Sequence, residues 1–108
     1  IQQVTRSATF EVKLIPKDFS LQQNFPNPFN PSTEIRFDLP EEGHIELLVY
    51  NMAGQKVRTL ESGNMKPGYH SMIWNGTNDK GTRVSTGMYF YSIQTNNFQA
   101  VKKMLFLK

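Results

Sequence analysis

The sequence has no cysteine and no long apolar run, and each absence excludes a kind of protein. Without cysteine there is no disulfide framework and no thiolate metal site, although the cellular compartment stays open. No apolar run approaches the about 20 residues that a membrane-spanning helix needs. The N-terminus carries no basic-then-apolar signal pattern. Because Ile1 begins in the middle of a pattern, we expect the chain to be a fragment of a longer protein, with any signal peptide upstream.

The sequence also lacks the residue patterns of catalysis and metal binding. It has no G-x-S-x-G elbow, no glycine-rich phosphate loop and no pair of carboxylates on convergent elements. His44 and His70 have no ligand or triad spacing, so both are interpreted as surface or strand-edge residues. Asn78, Asp79 and Gly81 resemble a calcium loop, but one carboxylate is too few. We therefore predict a domain that is not an enzyme and holds no cofactor or metal.

Basic residues exceed acidic ones by a formal charge of +3, but they are dispersed along the chain. The exceptions are Lys102, Lys103 and Lys108 near the C-terminus. A dispersed excess is typical of a solvated surface, so no nucleic-acid partner is predicted.

Short runs rich in valine, isoleucine, threonine and aromatic residues alternate with polar residues and are separated by glycine, proline and asparagine, which predicts an all-β fold. The predicted strands cover residues 33–39, 44–50, 55–60, 69–74, 88–93 and 98–107. We expect the first two to form a hairpin, residues 51–54 to turn the third back on the second, and residues 61–64 to be a loop. The predicted core residues are Ile35, Phe37, Leu47, Val49, Ile73, Trp74 and Tyr89.

An Asn/Pro/Phe segment at residues 24–31 separates two parts of the chain. Its three prolines lack backbone donors and keep preceding residues extended, so no helix or central strand passes through it. Phe25 and Phe29 are predicted to dock this segment onto the core, the alternative being an exposed ligand for a partner. The predicted boundary leaves residues 1–19 as the end of a preceding domain and a linker, and residues 20–108 as one domain. In residues 1–15 an alternating strand is expected either to be poorly ordered or to pair with another copy.

The final strand is apolar on both faces at residues 104–107 and is flanked by lysines. Such a strand is either a central strand of a sheet, with flanking charges that prevent aggregation, or a recognition tag at a free end. The sequence leaves both interpretations open.

Four segments taken together resemble a known family. They are Gln-Asn-Phe-Pro-Asn-Pro-Phe-Asn-Pro-Ser-Thr at 23–33, Lys-Pro-Gly-Tyr at 66–69, Ser-Thr-Gly-Met-Tyr-Phe-Tyr at 85–91 and Lys-Lys-Met-Leu at 102–105. Their order resembles the C-terminal sorting domain (type A, Por secretion family) of the type IX secretion system of Bacteroidetes, over about residues 20–108. The immunoglobulin-like domain of the flagellar hook-capping protein is a related family and shares the region from Trp74 to Tyr89.

The resemblance implies an immunoglobulin-like antiparallel β-sandwich of about seven strands at the C-terminus of an exported protein. It implies an upstream passenger domain, a translocon in the outer membrane and a sortase-like peptidase as partners. The domain would be in the periplasm in transit and then at the cell surface or extracellular, and it would be cleaved off afterwards. We expect a monomer or a strand-exchanged dimer through residues 1–15.

The leading functional prediction is therefore a non-enzymatic secretion signal. The alternatives are a structural or assembly domain and a carbohydrate-binding accessory module. A carbohydrate module needs a flat row of exposed aromatic rings, and neighbouring Phe90 and Tyr91 point to opposite faces, so they offer one exposed ring at most. The candidate recognition residues for secretion are Lys66, Pro67, Gly68, Tyr69, Gly87, Tyr89, Lys102, Lys103 and Lys108.

Overall fold

The computed structural model describes residues 15–107, which form seven strands and, within that range, no helix. The described part therefore holds no helix that could cross a membrane. The strand predicted around Phe10, Val12 and Leu14 lies outside the described residues, as does Lys108. The predicted all-β, immunoglobulin-like class is confirmed.

Two antiparallel sheets form the sandwich. The three-stranded sheet has the order β1-β2-β5, and the four-stranded sheet has the order β4-β3-β6-β7. The strands are β1 (Ser20–Leu21), β2 (Thr33–Leu39), β3 (Gly43–Tyr50), β4 (Lys56–Met65), β5 (Gly68–Trp74), β6 (Gly87–Gln94) and β7 (Gln99–Phe106).

Alternation along β2 and β3 determines which side chains enter the core. Ile35 and Phe37 of β2 are fully buried, and so are Leu47 and Val49 of β3, while the residues between them are less buried. Successive side chains of a strand point to opposite faces, so one face of each strand lies between the sheets and the other faces solvent.

The predicted hairpin between β2 and β3 is wrong. β2 pairs with β1 and β5, whereas β3 pairs with β4 and β6 in the opposite sheet. Residues 40–42 carry the chain from one layer to the other. Alternation defines the buried face of a strand but leaves its partner open, and two strands with the same pattern fit equally well as a hairpin or as facing layers.

Two further predictions need correction. Residues 61–64 belong to β4, which pairs with β3 through two register shifts, and they do not form a loop. Ile73 is 61% exposed and lies outside the core, because its neighbour Trp74 occupies the inward position and adjacent strand residues point in opposite directions. The remaining predicted core residues are buried.

The turn that connects β3 to β4 has the predicted form. The Gly54 amide donates to the Asn51 carbonyl (3.0 Å), and the Asn51 Oδ1 accepts from the amides of Ala53 and Gln55. Gly54 has φ = 82°, in the left-handed region that suits a residue without Cβ. The local Asn-to-Gly chemistry thus determines this turn.

Trp74 lies at the centre of the core. Its ring contacts Phe29 at 5.6 Å and Tyr89 at 5.3 Å between centroids, and it meets Phe106 edge-on at 6.3 Å. Its Nε1 donates to the Thr77 carbonyl at 2.8 Å, so burial leaves no unpaired indole donor.

Candidate functional site

Residues 22–31, which contain the Asn/Pro/Phe segment at 24–31, are termed the proline segment. It starts along the three-stranded sheet, where the Gln22 amide donates to the Arg36 carbonyl at 2.9 Å. Phe25 and Glu34 then exchange two backbone hydrogen bonds, of 3.0 and 2.9 Å. The first part of the segment thereby continues the pairing of β1 with β2 beyond the two residues of β1 itself.

The proline segment then crosses to the other sheet and binds the outer edge of β7. The Phe29 amide donates to the Leu105 carbonyl at 3.0 Å, and the Leu107 amide donates to the Phe29 carbonyl at 3.1 Å. The Leu105 amide donates to the Asn27 Oδ1 at 3.0 Å. β7 is therefore not central in its sheet, and recognition through its end stays a prediction. It is an edge strand whose exposed backbone groups are paired by the proline segment.

The two phenylalanines of the segment have different roles. Phe29 is 2% exposed and stacks on Phe106 at 5.0 Å. Phe25 is 78% exposed, because its pairing with Glu34 places its side chain on the outer face of the three-stranded sheet. The prediction that both rings dock the segment is confirmed for Phe29 and wrong for Phe25.

A buried polar network joins the proline segment to β6. Tyr91 Oη donates to the Gln22 carbonyl at 2.7 Å and accepts from the Asn24 amide at 2.8 Å. The Asn24 side chain donates to Thr33 Oγ1 at 2.9 Å, and Thr33 donates to the Pro26 carbonyl at 2.8 Å. Asn24 and Thr33 are both nearly inaccessible to solvent. The hydrogen bonds of this network fix the proline segment in place, in addition to its apolar contacts.

Burial raises the pKa of Tyr91 to about 12, because the phenolate would lose its hydration, and the hydrogen bond from the Asn24 backbone offsets only part of that effect. The folded protein therefore keeps the neutral phenol that donates to Gln22.

We expect Tyr91→Phe to lower the free energy of unfolding at neutral pH by about 1–3 kcal/mol, because the buried Asn24 amide and the partly buried Gln22 carbonyl lose their partner. The wild type should also lose stability as pH rises from 10, where an unfolded tyrosine titrates, through about 12, where Tyr91 titrates in the fold. This loss should be absent from the variant. Urea unfolding at pH 7, 10 and 11 measures both effects.

Tyr69→Phe is the matched control, because its hydroxyl is exposed and has no hydrogen-bond partner among residues 15–107. It should stay within about 0.5 kcal/mol of the wild type and keep the same dependence on pH. Equal alkaline loss in Tyr91→Phe would contradict the assignment to Tyr91.

The candidate recognition residues do not converge. Lys66 and Pro67 form the connection from β4 to β5, and Gly68 is the first residue of β5, next to the pairing of Met65 with the start of β3. Gly87 starts β6 at the opposite end of the same sheet, where it pairs with the end of β7. The length of β3 separates the two ends by about 24 Å.

Of the side chains in that group, Lys66, Tyr69 and Lys103 are exposed and Lys102 is half-buried. Tyr89 is 4% exposed, and its hydroxyl donates to the Ser85 carbonyl at 2.6 Å, which makes it a core residue as also predicted. The sequence interpretation missed the network of Asn24 and Thr33. The sequence feature that could have indicated this network is the position of Asn24 and Thr33 next to apolar residues.

The polar groups of the loop that resembled a calcium site form hydrogen bonds with β4. Asp79 Oδ1 accepts from the Thr59 amide at 2.8 Å, and the Asp79 amide donates to the Val57 carbonyl at 3.0 Å. This oxygen also lies 3.8 Å from Arg58 Nε. The loop thus pairs with backbone groups on the outer edge of β4. No group of three metal-ligating side chains is found among residues 15–107.

The two-sheet topology, with a core closed by the proline segment, defines an immunoglobulin-like β-sandwich domain. The family model of the FlgD Ig-like domain matches residues 27–98, which is more than half of the chain. The chain belongs to the FlgD Ig-like domain family.

A curated relative is the basal-body rod modification protein FlgD of Salmonella typhimurium, which is 41% identical over 44 residues. That match covers 41% of this chain and 19% of the relative, so the chain spans about a fifth of that protein.

Solved structures share the fold at low identity. Dimeric latent PorU from Porphyromonas gingivalis has a TM-score of 0.67 and 21% identity, covering 87% of this chain and 10% of that one. FlgD from P. aeruginosa has a TM-score of 0.56 and 20% identity, covering 84% and 68%. PorZ, a surface component of the type IX secretion system of Porphyromonas gingivalis, has a TM-score of 0.54 and 15% identity, covering 82% and 12%.

Proposed function

We propose that this domain is a non-catalytic structural domain that attaches a larger protein to a bacterial assembly. Membership of the FlgD Ig-like family supports this assembly role more directly than any other function. The main support for this role is that the proline segment, at the beginning of the domain, is hydrogen-bonded to β7, at its end. The beginning and the end of the domain therefore form one surface. The buried polar residues Asn24 and Thr33 fix the same segment to β2 and β6, which is a structural use.

We further propose that the assembly is the type IX secretion system and that residues 20–108 are a C-terminal sorting domain. The support is the order of the four sequence segments. Two of them, at 23–33 and 102–105, lie against each other in the fold. The fold likeness to PorU and PorZ agrees with this proposal at the level of architecture.

Under this proposal an upstream passenger, the outer-membrane translocon and a sortase-like peptidase are the partners. The protein passes through the periplasm to the cell surface or the medium and loses the domain by cleavage. Residues 1–15 are proposed to pair with a second copy if the domain forms a strand-exchanged dimer.

The test is to fuse residues 1–108 behind a reporter that carries a Sec signal and to follow the reporter in a host with the secretion system. Sorting predicts the reporter at the surface or in the medium, and its retention in the periplasm of a strain without the translocon. Periplasmic retention in both strains would contradict sorting and leave the assembly role.

We predict that replacing Lys102, Lys103 and Lys108 together by glutamine reduces surface delivery of the reporter at least several-fold and leaves the melting temperature unchanged. The reason is that Lys103 on β7 is exposed and Lys102 beside it is half-buried, so their charges are available to a receptor, while surface charges contribute little to stability, within about 0.5 kcal/mol each. Fractionation and immunoblotting measure the delivery.

The matched control replaces Lys17, Lys56 and Lys80, which are exposed and lie outside β7, by glutamine. This variant has the same net charge and should be delivered like the wild type. Undiminished export of the first variant would rule out recognition through these lysines and shift the prediction to the turns at Pro67 to Tyr69 and at Gly87.

A further inference from the structure

The outer face of the three-stranded sheet presents an ordered array of side chains, termed the small-sheet face. Strand pairing arranges its nine positions in three rows of three. The rows are Ser20, Asp38 and Tyr69, then Gln22, Arg36 and Ser71, then Phe25, Glu34 and Ile73.

Apolar groups occupy three corners of the small-sheet face. Phe25 is 78% exposed, Tyr69 is 62% exposed and Ile73 is 61% exposed. Phe25 and Tyr69 are at diagonally opposite corners, two strand spacings across and four residues along β2, or about 16 Å apart. The two exposed rings thus lie on one face, which neighbouring Phe90 and Tyr91 do not provide.

Hydrogen-bonding groups fill the space between the rings. A shallow groove of about 430 Å³ runs over them, lined by Gln22, Arg36, Asp38 and Tyr69 among others. Glu34 makes a single long contact with Arg36, at 3.4 Å. The side chains of Gln22, Asp38 and Ser71 have no hydrogen-bond partner among residues 15–107. The face therefore offers free acceptors and donors on a regular lattice.

The charges indicate which kind of ligand fits. Two carboxylates, Glu34 and Asp38, flank one guanidinium, Arg36, so the face has a net negative charge although the chain is basic. A polyanion would be repelled here. The cores of protein interfaces are depleted in charged residues, whereas here the charges are central and the apolar groups lie at the corners. Neutral hydroxyl groups both donate and accept hydrogen bonds, so they can pair with Glu34, Arg36 and Asp38 alike.

We infer that the small-sheet face binds a neutral polysaccharide, with Tyr69 and Phe25 contacting sugar rings and Arg36, Asp38 and Glu34 pairing with hydroxyl groups. The face belongs to the three-stranded sheet and β7 to the four-stranded sheet, so this binding uses side chains other than the C-terminal lysines. An attachment domain with this face would also hold its passenger on a glycan surface.

Affinity electrophoresis of the full chain tests this inference, in native gels that contain hydroxyethyl cellulose or galactomannan as neutral probes and polygalacturonate as the anionic one. We expect retardation by at least one neutral probe. Tyr69→Ala should weaken it about tenfold, as the loss of one ring contact implies. Asp38→Asn, which keeps side-chain shape, should weaken it several-fold. Tyr50→Ala, on the outer face of the other sheet, should retain it.

Melting curves and gel filtration accompany the variants, so that each result is assigned to a folded species. No retardation by either neutral probe would overturn the inference, as would equal retardation of folded Tyr69→Ala and the wild type. Retardation by polygalacturonate alone would show charge attraction by a basic protein and also overturn it. A wild-type dimer that Tyr69→Ala converts to a monomer would identify the face as a self-contact instead.

Discussion

Replacing Phe29 with alanine is expected to lower the free energy of unfolding by about 3–5 kcal/mol, which is a large part of the stability of a domain of this size. Phe29 is almost fully buried, stacks on Phe106 and contacts Trp74, so its removal leaves a cavity at the centre of the core. The same residue forms the backbone link to β7, and a cavity beneath it loosens that link. Urea unfolding followed by tryptophan fluorescence measures the effect.

Phe25→Ala is the matched control, since it removes the same side chain four residues earlier in the same segment. Phe25 is exposed, so its loss should change the free energy of unfolding by no more than about 0.5 kcal/mol. If the two variants were equally destabilised, the different roles of the two phenylalanines would be wrong.

Gly76→Ala is expected to lower the free energy of unfolding by about 3 kcal/mol, for two reasons that act together. Gly76 has φ = 78°, which strains any residue with a Cβ. An added Cβ would also lie 3.0 Å from Cζ of Phe106, whose ring is fully buried and stacked on Phe29. Relief of this contact must therefore displace either the packed ring or the backbone at residue 76.

Gly54→Ala separates the two causes, because Gly54 has nearly the same φ, 82°, and no heavy atom within 4 Å of an added Cβ. It should lose only the backbone part, about 1–2 kcal/mol. Chemical denaturation of both variants gives the comparison. A loss at Gly76 no larger than that at Gly54 would contradict the close contact with Phe106.

The sequence supported the assignment of function only in part. The segments at 23–33 and 102–105 resemble those of the type IX sorting domain. The match to the FlgD Ig-like family instead supports the structural or assembly domain, which was the alternative prediction. For the carbohydrate alternative, the sequence offered one exposed ring at most, from Phe90 or Tyr91. The fold brings Phe25 and Tyr69 onto one face from positions 44 residues apart in sequence, and only strand pairing could place them there.

The sequence by itself determined the elements whose cause is local. Alternation placed Ile35 and Phe37 inward, and the Asn51-to-Gly54 turn followed from the conformations that those residues prefer. Tertiary structure alone decided which strands pair, that β2 and β3 separate into two layers, and that Phe29 is buried while Phe25 is exposed. The physical reason is that periodicity defines the face of a strand, whereas its partner is selected by contacts across the whole sandwich between residues distant in sequence.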